Sequence, residues 1–110
     1  MSGAYGTRPD SNGATYTACN KAIEGLAKAL AVELAPIRVN AIAPGTIRTD
    51  FTWEGGDSEA REKAYRVYAE GCLLKRVGQA NEVAESVIYL MSNTYTTGSV
   101  LFPDGGYTLR

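Results

Sequence analysis

The chain has 110 residues, with 11 Lys+Arg against 12 Asp+Glu and no histidine. That length suits one domain or a portion of a larger one, and 45% hydrophobic with 21% charged residues places it among globular chains. A net charge of -1 leaves no electrostatic footprint for nucleic acid, and the lack of histidine excludes Ser-His-Asp and Cys-His catalysis and histidine-containing zinc sites.

Residues 1–13 are rich in Gly, Ser, Asn and Pro and read as loop. A helix is predicted from Ala14, capped by Asn12 or Ser11 and stopped by Pro36. Its apolar stripe is Ile23, Leu26, Ala27, Leu30, Ala31 and Leu34, and Gly25 in its middle suggests close packing there. Residues 37–43 (IRVNAIA) are β-branched and apolar and read as a buried strand that ends at Pro44-Gly45. A loop over 46–56 carries Phe51 and Trp53. Asp57 or Ser58 then caps a charged helix through Glu70, with Gly71 at its end and a thin apolar face of Ala60, Ala64, Val67 and Tyr68. Arg61, Glu62, Lys63 and Arg66 form a solvated face of that helix. A further helix over 81–91 carries Val83, Ala84, Val87, Ile88 and Met91 on one side. A short strand at 99–102 leads to the turn Asp104-Gly105-Gly106, and Pro103 removes a ladder donor, so the strand ends by Phe102 or lies on an edge.

Two strands separated by helical crossovers imply parallel pairing. Two parallel strands alone cannot be buried on both faces, so the fold class is α/β: the end of a parallel-sheet domain, with two strands and three main helices present. The uncovered helix stripe and an unpaired edge on strand 37–43 point to a homo-oligomer.

Cys19 and Cys72 are far apart in sequence and form no CxxC pair, as for ordinary thiols of a reducing compartment. The first residues, MSGAYGTRPD, have no apolar leader segment, and no apolar run approaches the ~18 residues of a membrane span. The expectation is a soluble, cytoplasmic chain with no membrane or nucleic-acid partner. Nucleotide-loop signatures (GxGxxG, GxxxGxG, GxxxxGK[ST]) and metal-ligand spacings are absent from the sequence, and no metal site is predicted.

The stretch Tyr16-Thr17-Ala18-Cys19-Asn20-Lys21-Ala22-Ile23-Glu24-Gly25-Leu26 resembles the active-site helix of the short-chain dehydrogenase/reductases. LAVELAP, IRVNAIAPGTIRTD, LKRVGQANEVAESVIYLMS and TGSVLFPDGGY follow in the family's order, so the resemblance spans residues 3–108 and matches the C-terminal half of that family. It implies that 1–110 is the C-terminal portion of a doubly wound, Rossmann-like parallel-sheet domain, with the N-terminal dinucleotide-binding half absent. The implied activity is hydride transfer between NAD or NADP and a small alcohol or ketone, with the chain inactive and unable to bind a dinucleotide when alone. A non-catalytic remnant, or an oligomerising interaction protein derived from the same fold, is the alternative.

The resemblance assigns the proton-transferring phenol to Tyr16. The family's lysine, one turn further on, lowers the phenol's pKa and holds the nicotinamide ribose. Here that position is Asn20, which can hydrogen-bond a ribose but carries no charge. Lys21 takes the lysine role only if a local π-bulge rotates it back by the ~140° that separates i and i+5. A third register, with Lys21 as the lysine and Thr17 in the phenol's place, loses the phenol. The family's upstream serine falls on Gly3, one residue after Ser2. Pro44, Gly45, Ile47 and Thr49 match the turn that contacts the nicotinamide, at the carboxyl end of a parallel strand where open α/β sheets place ligands. Phe51, Trp53, Tyr65 and Tyr68 are the expected lid aromatics of the substrate loop.

Overall fold

A computed structural model describes residues 1–49 and 58–110. Phe51, Trp53 and Asp57 lie outside the described residues, so the lid and cap expectations that fall on them have no structural counterpart here. Helix α1 spans Ala14–Glu33, strand β1 Ala41–Ile42, β2 Ile47–Arg48, helix α2 Ser58–Glu70, β3 Gly78–Gln79, helix α3 Ala80–Ser92 and β4 Val100–Leu101. Single 3-10 turns occupy Ala4–Gly6 and Tyr107–Leu109.

β1 and β4 pair in parallel, Ala41 opposite Val100 and Ile42 opposite Leu101. Backbone bonds continue the ladder on both sides, from Gly98 N to Val39 O at 2.7 Å through Gly45 N to Pro103 O at 3.2 Å. Pairing ends at Pro103, as its missing donor requires. The other edge of β1 is not bare, contrary to the sequence expectation: Ser2 N donates to Ile42 O and Ala4 N to Pro44 O, both at 2.8 Å. A second parallel pair, β2 with β3 (Ile47 opposite Gly78, Arg48 opposite Gln79), has no sequence signal, because two residues carry no alternation.

The core is small. Ile42, Val83 and Leu90 are buried together, with Ile47, Val87 and Leu101 packed against them. The inward line on α3 is therefore buried Val83 and Leu90 with half-buried Val87 between them, while Ala84, Ile88 and Met91 of the expected face are exposed. Spacings of four and three residues keep the inward line on one side of the helix. α3 begins with a reciprocal cap between Gln79 and Glu82, in which the Glu82 carboxylate accepts from Gln79 N at 2.8 Å. Its C-terminal carbonyls, Leu90 O and Met91 O, accept from the Arg38 guanidinium at 2.7 and 2.9 Å, a cation at the negative end of the helix dipole.

Glu82 also accepts two bonds from Arg76, at 2.8 and 2.6 Å. The Arg76 bonds first, then the Gln79 amide, pull its carboxyl down to about 2. A carboxyl with a lowered folded-state pKa adds stability above its unfolded value near ~4.3 and loses it as pH falls toward the folded value. Thermal unfolding of the wild type and of Glu82→Gln should therefore differ most at neutral pH and converge as the pH falls from about 4.5 to 2. A difference that persists unchanged at pH 2 would rule the ion pair out as its source.

α1 departs most from its sequence reading. It has no side-chain cap: Gly13 sits at the cap position and Asn12 is left-handed at φ 63°. Its buried residues are Asn20, Glu24 and Ala27, while Ile23, Leu26 and Leu34 of the apolar stripe are exposed and Leu30 and Ala31 half-buried. The polar face is buried because Gly6 lets the N-terminal turn close on the helix; a Cβ there would stand 2.8 Å from Asn20 Cβ. Gly25, expected to mark close packing, faces open space, with nothing within 4 Å of an added Cβ. Gly25→Ala should therefore stabilise the fold by about 0.5–1 kcal/mol, read as a raised thermal midpoint. A lowered midpoint would reveal a contact at that position.

α2 buries Tyr65 rather than Val67, which is exposed. The Tyr65 hydroxyl donates to Thr49 O and accepts from Thr49 N, both at 3.3 Å, and its ring lies 4.7 Å beneath the Arg48 guanidinium. Glu62 lies on the solvated face of the helix and also accepts two bonds from Arg48 at 2.7 and 2.9 Å, which hold its carboxyl below the usual range and raise the guanidinium. This pair ties α2 to β2.

Candidate active site

The carboxyl end of β1 runs into Pro44-Gly45, and the Gly45 backbone lies directly on the C-terminal turn. A Cβ at Gly45 would be 2.9 Å from Asp104 Cα, so only glycine permits this approach. The turn thus faces the first turn of α1, where Tyr16 stands. Between them is a cavity of about 150 Å3 lined by Gly3, Ala4, Tyr5, Tyr16, Pro44, Gly45, Thr46, Ile47, Tyr68 and Tyr107. Five sequence-predicted residues, Tyr16, Pro44, Gly45, Ile47 and Tyr68, are brought together here.

Tyr16 is 59% exposed, and its ring centroid lies 5.3 Å from that of Tyr5, tilted by 59°. Beside it is a gap where the chain has no side chain: a Cβ at Gly3 would stand 3.4 Å from both Tyr16 Oη and Asn20 Oδ1. Gly3 has an extended backbone, φ -152°, which any residue adopts.

Asn20 is buried, 5% exposed, and does not line the cavity. Its Nδ2 donates to Tyr16 O at 2.9 Å, within the helix. The Ser2 hydroxyl lies 2.9 Å from Asn20 O and 3.3 Å from Glu24 Oε1. α1 is an unbroken α-helix, so the bulge that would rotate Lys21 toward Tyr16 is absent. Lys21 Nζ instead donates to Thr7 Oγ1 at 2.8 Å and to Glu24 Oε2 at 2.7 Å. Among the described residues Thr17 Oγ1 is buried without a hydrogen-bond partner, and Thr17 does not line the cavity. Thr49 lines a different depression with Arg48, Arg61, Tyr65 and Ala80.

Four lining residues had no role in the sequence reading: Ala4, Tyr5, Thr46 and Tyr107. Tyr5 and Tyr107 come from opposite ends of the chain and no spacing links them. Arg8 joins those ends: its guanidinium donates to Tyr107 O at 3.0 Å and sits 4.7 Å over the Tyr107 ring, while the Tyr107 hydroxyl donates to Arg8 O at 3.2 Å. Burial pushes that hydroxyl up, against the opposing pull of Arg8, so Tyr107 stays neutral in the physiological range. Burial likewise raises the Cys72 thiol, with Asp104 adding to the effect. Among the described residues no group of His, Cys, Asp or Glu side chains could hold a metal ion, and no helix is long and apolar enough to cross a membrane.

A family model described as enoyl-(acyl carrier protein) reductase matches residues 1–108. The chain belongs to the short-chain dehydrogenase/reductase family. It is 39% identical over 109 residues to the short-chain dehydrogenase/reductase ATR9 of Stachybotrys chlorohalonatus (strain IBT 40285), covering 99% of this chain and 42% of that protein. Among solved structures, it superposes on a small-chain dehydrogenase in complex with NADPH with a TM-score of 0.91 at 37% identity, covering 99% of this chain and 49% of that one. Thermoplasma acidophilum aldohexose dehydrogenase gives a TM-score of 0.87 at 30% identity, with 99% and 46% covered. The short-chain dehydrogenase/reductase chain thus spans about two fifths of the length of the curated relatives it matches. The α/β class with parallel strands and a Rossmann-like architecture agrees with the sequence reading.

Proposed function

We propose that this chain supplies the proton-transfer and nicotinamide-facing side of an NAD- or NADP-dependent oxidoreductase acting on a small alcohol or ketone. One observation carries the reading: Tyr16 Oη and the turn from Pro44 to Ile47 line one cavity. The residues present suit the nicotinamide end of the cofactor, through Pro44, Gly45 and Ile47; nothing in the sequence suits the pyrophosphate, which ordinarily needs a glycine turn and helix N-terminus. When bound, the nicotinamide gives or takes the hydride. Tyr16 Oη donates a proton to the carbonyl oxygen as it gains charge, or takes one from an alcohol.

An ordinary phenol titrates near ~10, so it donates readily at neutral pH but serves as a base only beside a positive charge. Lys21 Nζ is held by Glu24 and Thr7, and Asn20 is uncharged. This favours the reductive direction. In this reading the pyrophosphate is held by residues outside these 110, the chain alone is inactive and cytoplasmic, and copies associate through Ile23, Leu26 and Leu34 of α1.

The test is a nuclear magnetic resonance titration with nicotinamide mononucleotide. Shifts at the Tyr16 ring and the backbone amides of Gly45, Thr46 and Ile47 are expected, and their absence would overturn the reading. NAD and NADP should bind no more tightly than about 100 μM, equivalent to ~5.5 kcal/mol. A second reading, a non-catalytic member of the family, is favoured by Gly3 and Asn20 standing where the resemblance calls for serine and lysine.

A further inference from the structure

Four of the chain's 7 tyrosines are accounted for by one cavity, and they reach it from four separate segments: the Ala4–Gly6 turn, α1, α2 and the Tyr107–Leu109 turn. The other described lining residues are Gly3, Ala4, Pro44, Gly45, Thr46 and Ile47, so among the described residues no charged side chain lines it. A substrate bearing a phosphate or carboxylate would find no counter-charge on the described part of this wall. The walls are also fixed in place. The Tyr5 ring lies so close over Gly13 that a Cβ there would stand 2.2 Å from it, and Tyr107 is held at both its carbonyl and its hydroxyl by Arg8. Preformed walls spare a ligand the entropy of ordering them.

In the reading above Pro44, Gly45 and Ile47 face the nicotinamide, which leaves Tyr5, Tyr68 and Tyr107 as the lining residues available to the ring of a substrate. Aromatic faces and edges prefer another aromatic ring over an aliphatic one of equal bulk, because ring quadrupoles pair in offset or edge-to-face arrangements.

We propose that the cavity takes an uncharged aryl ketone, its ring against Tyr5, Tyr68 and Tyr107 and its carbonyl at Tyr16 Oη. The substrate class rests on the reading of Tyr16 as proton donor given above; the aromatic wall does not. Tyr5, Tyr68 and Tyr107 are then the residues that set specificity.

Acetophenone and cyclohexyl methyl ketone differ only in the ring, and their binding to the 110-residue chain is read by ligand-observed nuclear magnetic resonance. Acetophenone should bind about five-fold more tightly. Tyr68→Leu and Tyr107→Leu, which keep apolar bulk, should each remove that preference and leave cyclohexyl methyl ketone bound as before. If Tyr107→Leu unfolds the chain, Tyr68→Leu alone decides. Equal affinities in the wild type, or a preference that survives Tyr68→Leu, would overturn the proposal. Tyr16→Phe keeps the ring and removes the hydroxyl, so it separates the two ideas. An intact aromatic preference with no loss of ketone affinity in Tyr16→Phe keeps the aromatic site and overturns the proton-donor reading. Weakened binding of both ketones in Tyr16→Phe, with no preference between them in the wild type, does the reverse.

Discussion

Placing a hydroxyl at position 3 and an ammonium at position 20 should raise hydride-transfer turnover by about 100-fold, the lower end of what a well-placed acid–base system contributes. The measurement uses a chimera in which these 110 residues replace the matching part of the NADPH-bound small-chain dehydrogenase, which they superpose on with a TM-score of 0.91. Position 3 is open to the change because a Cβ there would stand 3.4 Å from Tyr16 Oη, within reach of a hydrogen bond once a hydroxyl is added. Position 20 lies one helical turn from Tyr16, where a positive charge favours phenolate and so extends activity to lower pH in the oxidative direction. The single variants Gly3→Ser and Asn20→Lys should each give part of the gain, and adding Tyr16→Phe to the double variant should abolish it. A double variant no faster than its parent, or one insensitive to Tyr16→Phe, would show that this face of α1 does no chemistry and would favour the non-catalytic reading.

Asp104→Ala should cost about 3 kcal/mol, because hydrogen bonds to a charged group are worth ~1.5–3 kcal/mol and this carboxylate makes several. Asp104 is buried, accepting from Gly106 N at 2.8 Å and from Thr108 N and Oγ1 at 2.9 and 2.8 Å. These bonds hold a turn in which Gly105 and Gly106 are both left-handed, at φ 62° and 79°, a conformation that glycine adopts without steric cost. For a chain this small the loss corresponds to a thermal midpoint lower by roughly 10–20 °C. Asp104→Asn retains one acceptor and should lose about half as much. The turn carries Tyr107 into the cavity and presses on Gly45, so the same substitution should also weaken acetophenone binding under conditions where the chain remains folded. A midpoint within about 3 °C of wild type would mean that the backbone holds this turn without the carboxylate.

Much of the fold was legible before any coordinates. Spacing at three and four residues located α1 and α3, and Pro44-Gly45 and Pro103 located the ends of the paired strands. The parallel pairing of β1 with β4 followed from the helices between them. The local chemistry of the candidate site was legible too. Tyr16, Asn20 and Gly3 are placed by the register of one motif, and the structure puts the three within contact distance.

What the sequence did not decide was which face of each helix is buried. The apolar stripe of α1 predicted a core around Ile23, Leu26 and Leu34, yet the helix buries Asn20 and Glu24. Periodicity ranks faces by hydrophobicity, whereas burial depends on which neighbour can approach. Gly6 brings backbone to within contact of the polar face, and Ser2 and Lys21 satisfy the carboxylate it covers. The β2–β3 pair escaped for a related reason: a ladder of two residues is specified by the chain segments that deliver it, not by alternation within it. The aromatic wall of the cavity is the clearest case. The motifs alone carried the family's register, the parallel pairing of β1 with β4 and the phenol at position 16. Only tertiary structure decided that Tyr5 and Tyr107 meet beside that phenol, because their convergence depends on Arg8 bridging the two ends of the chain, a contact between residues 99 positions apart that no local pattern encodes.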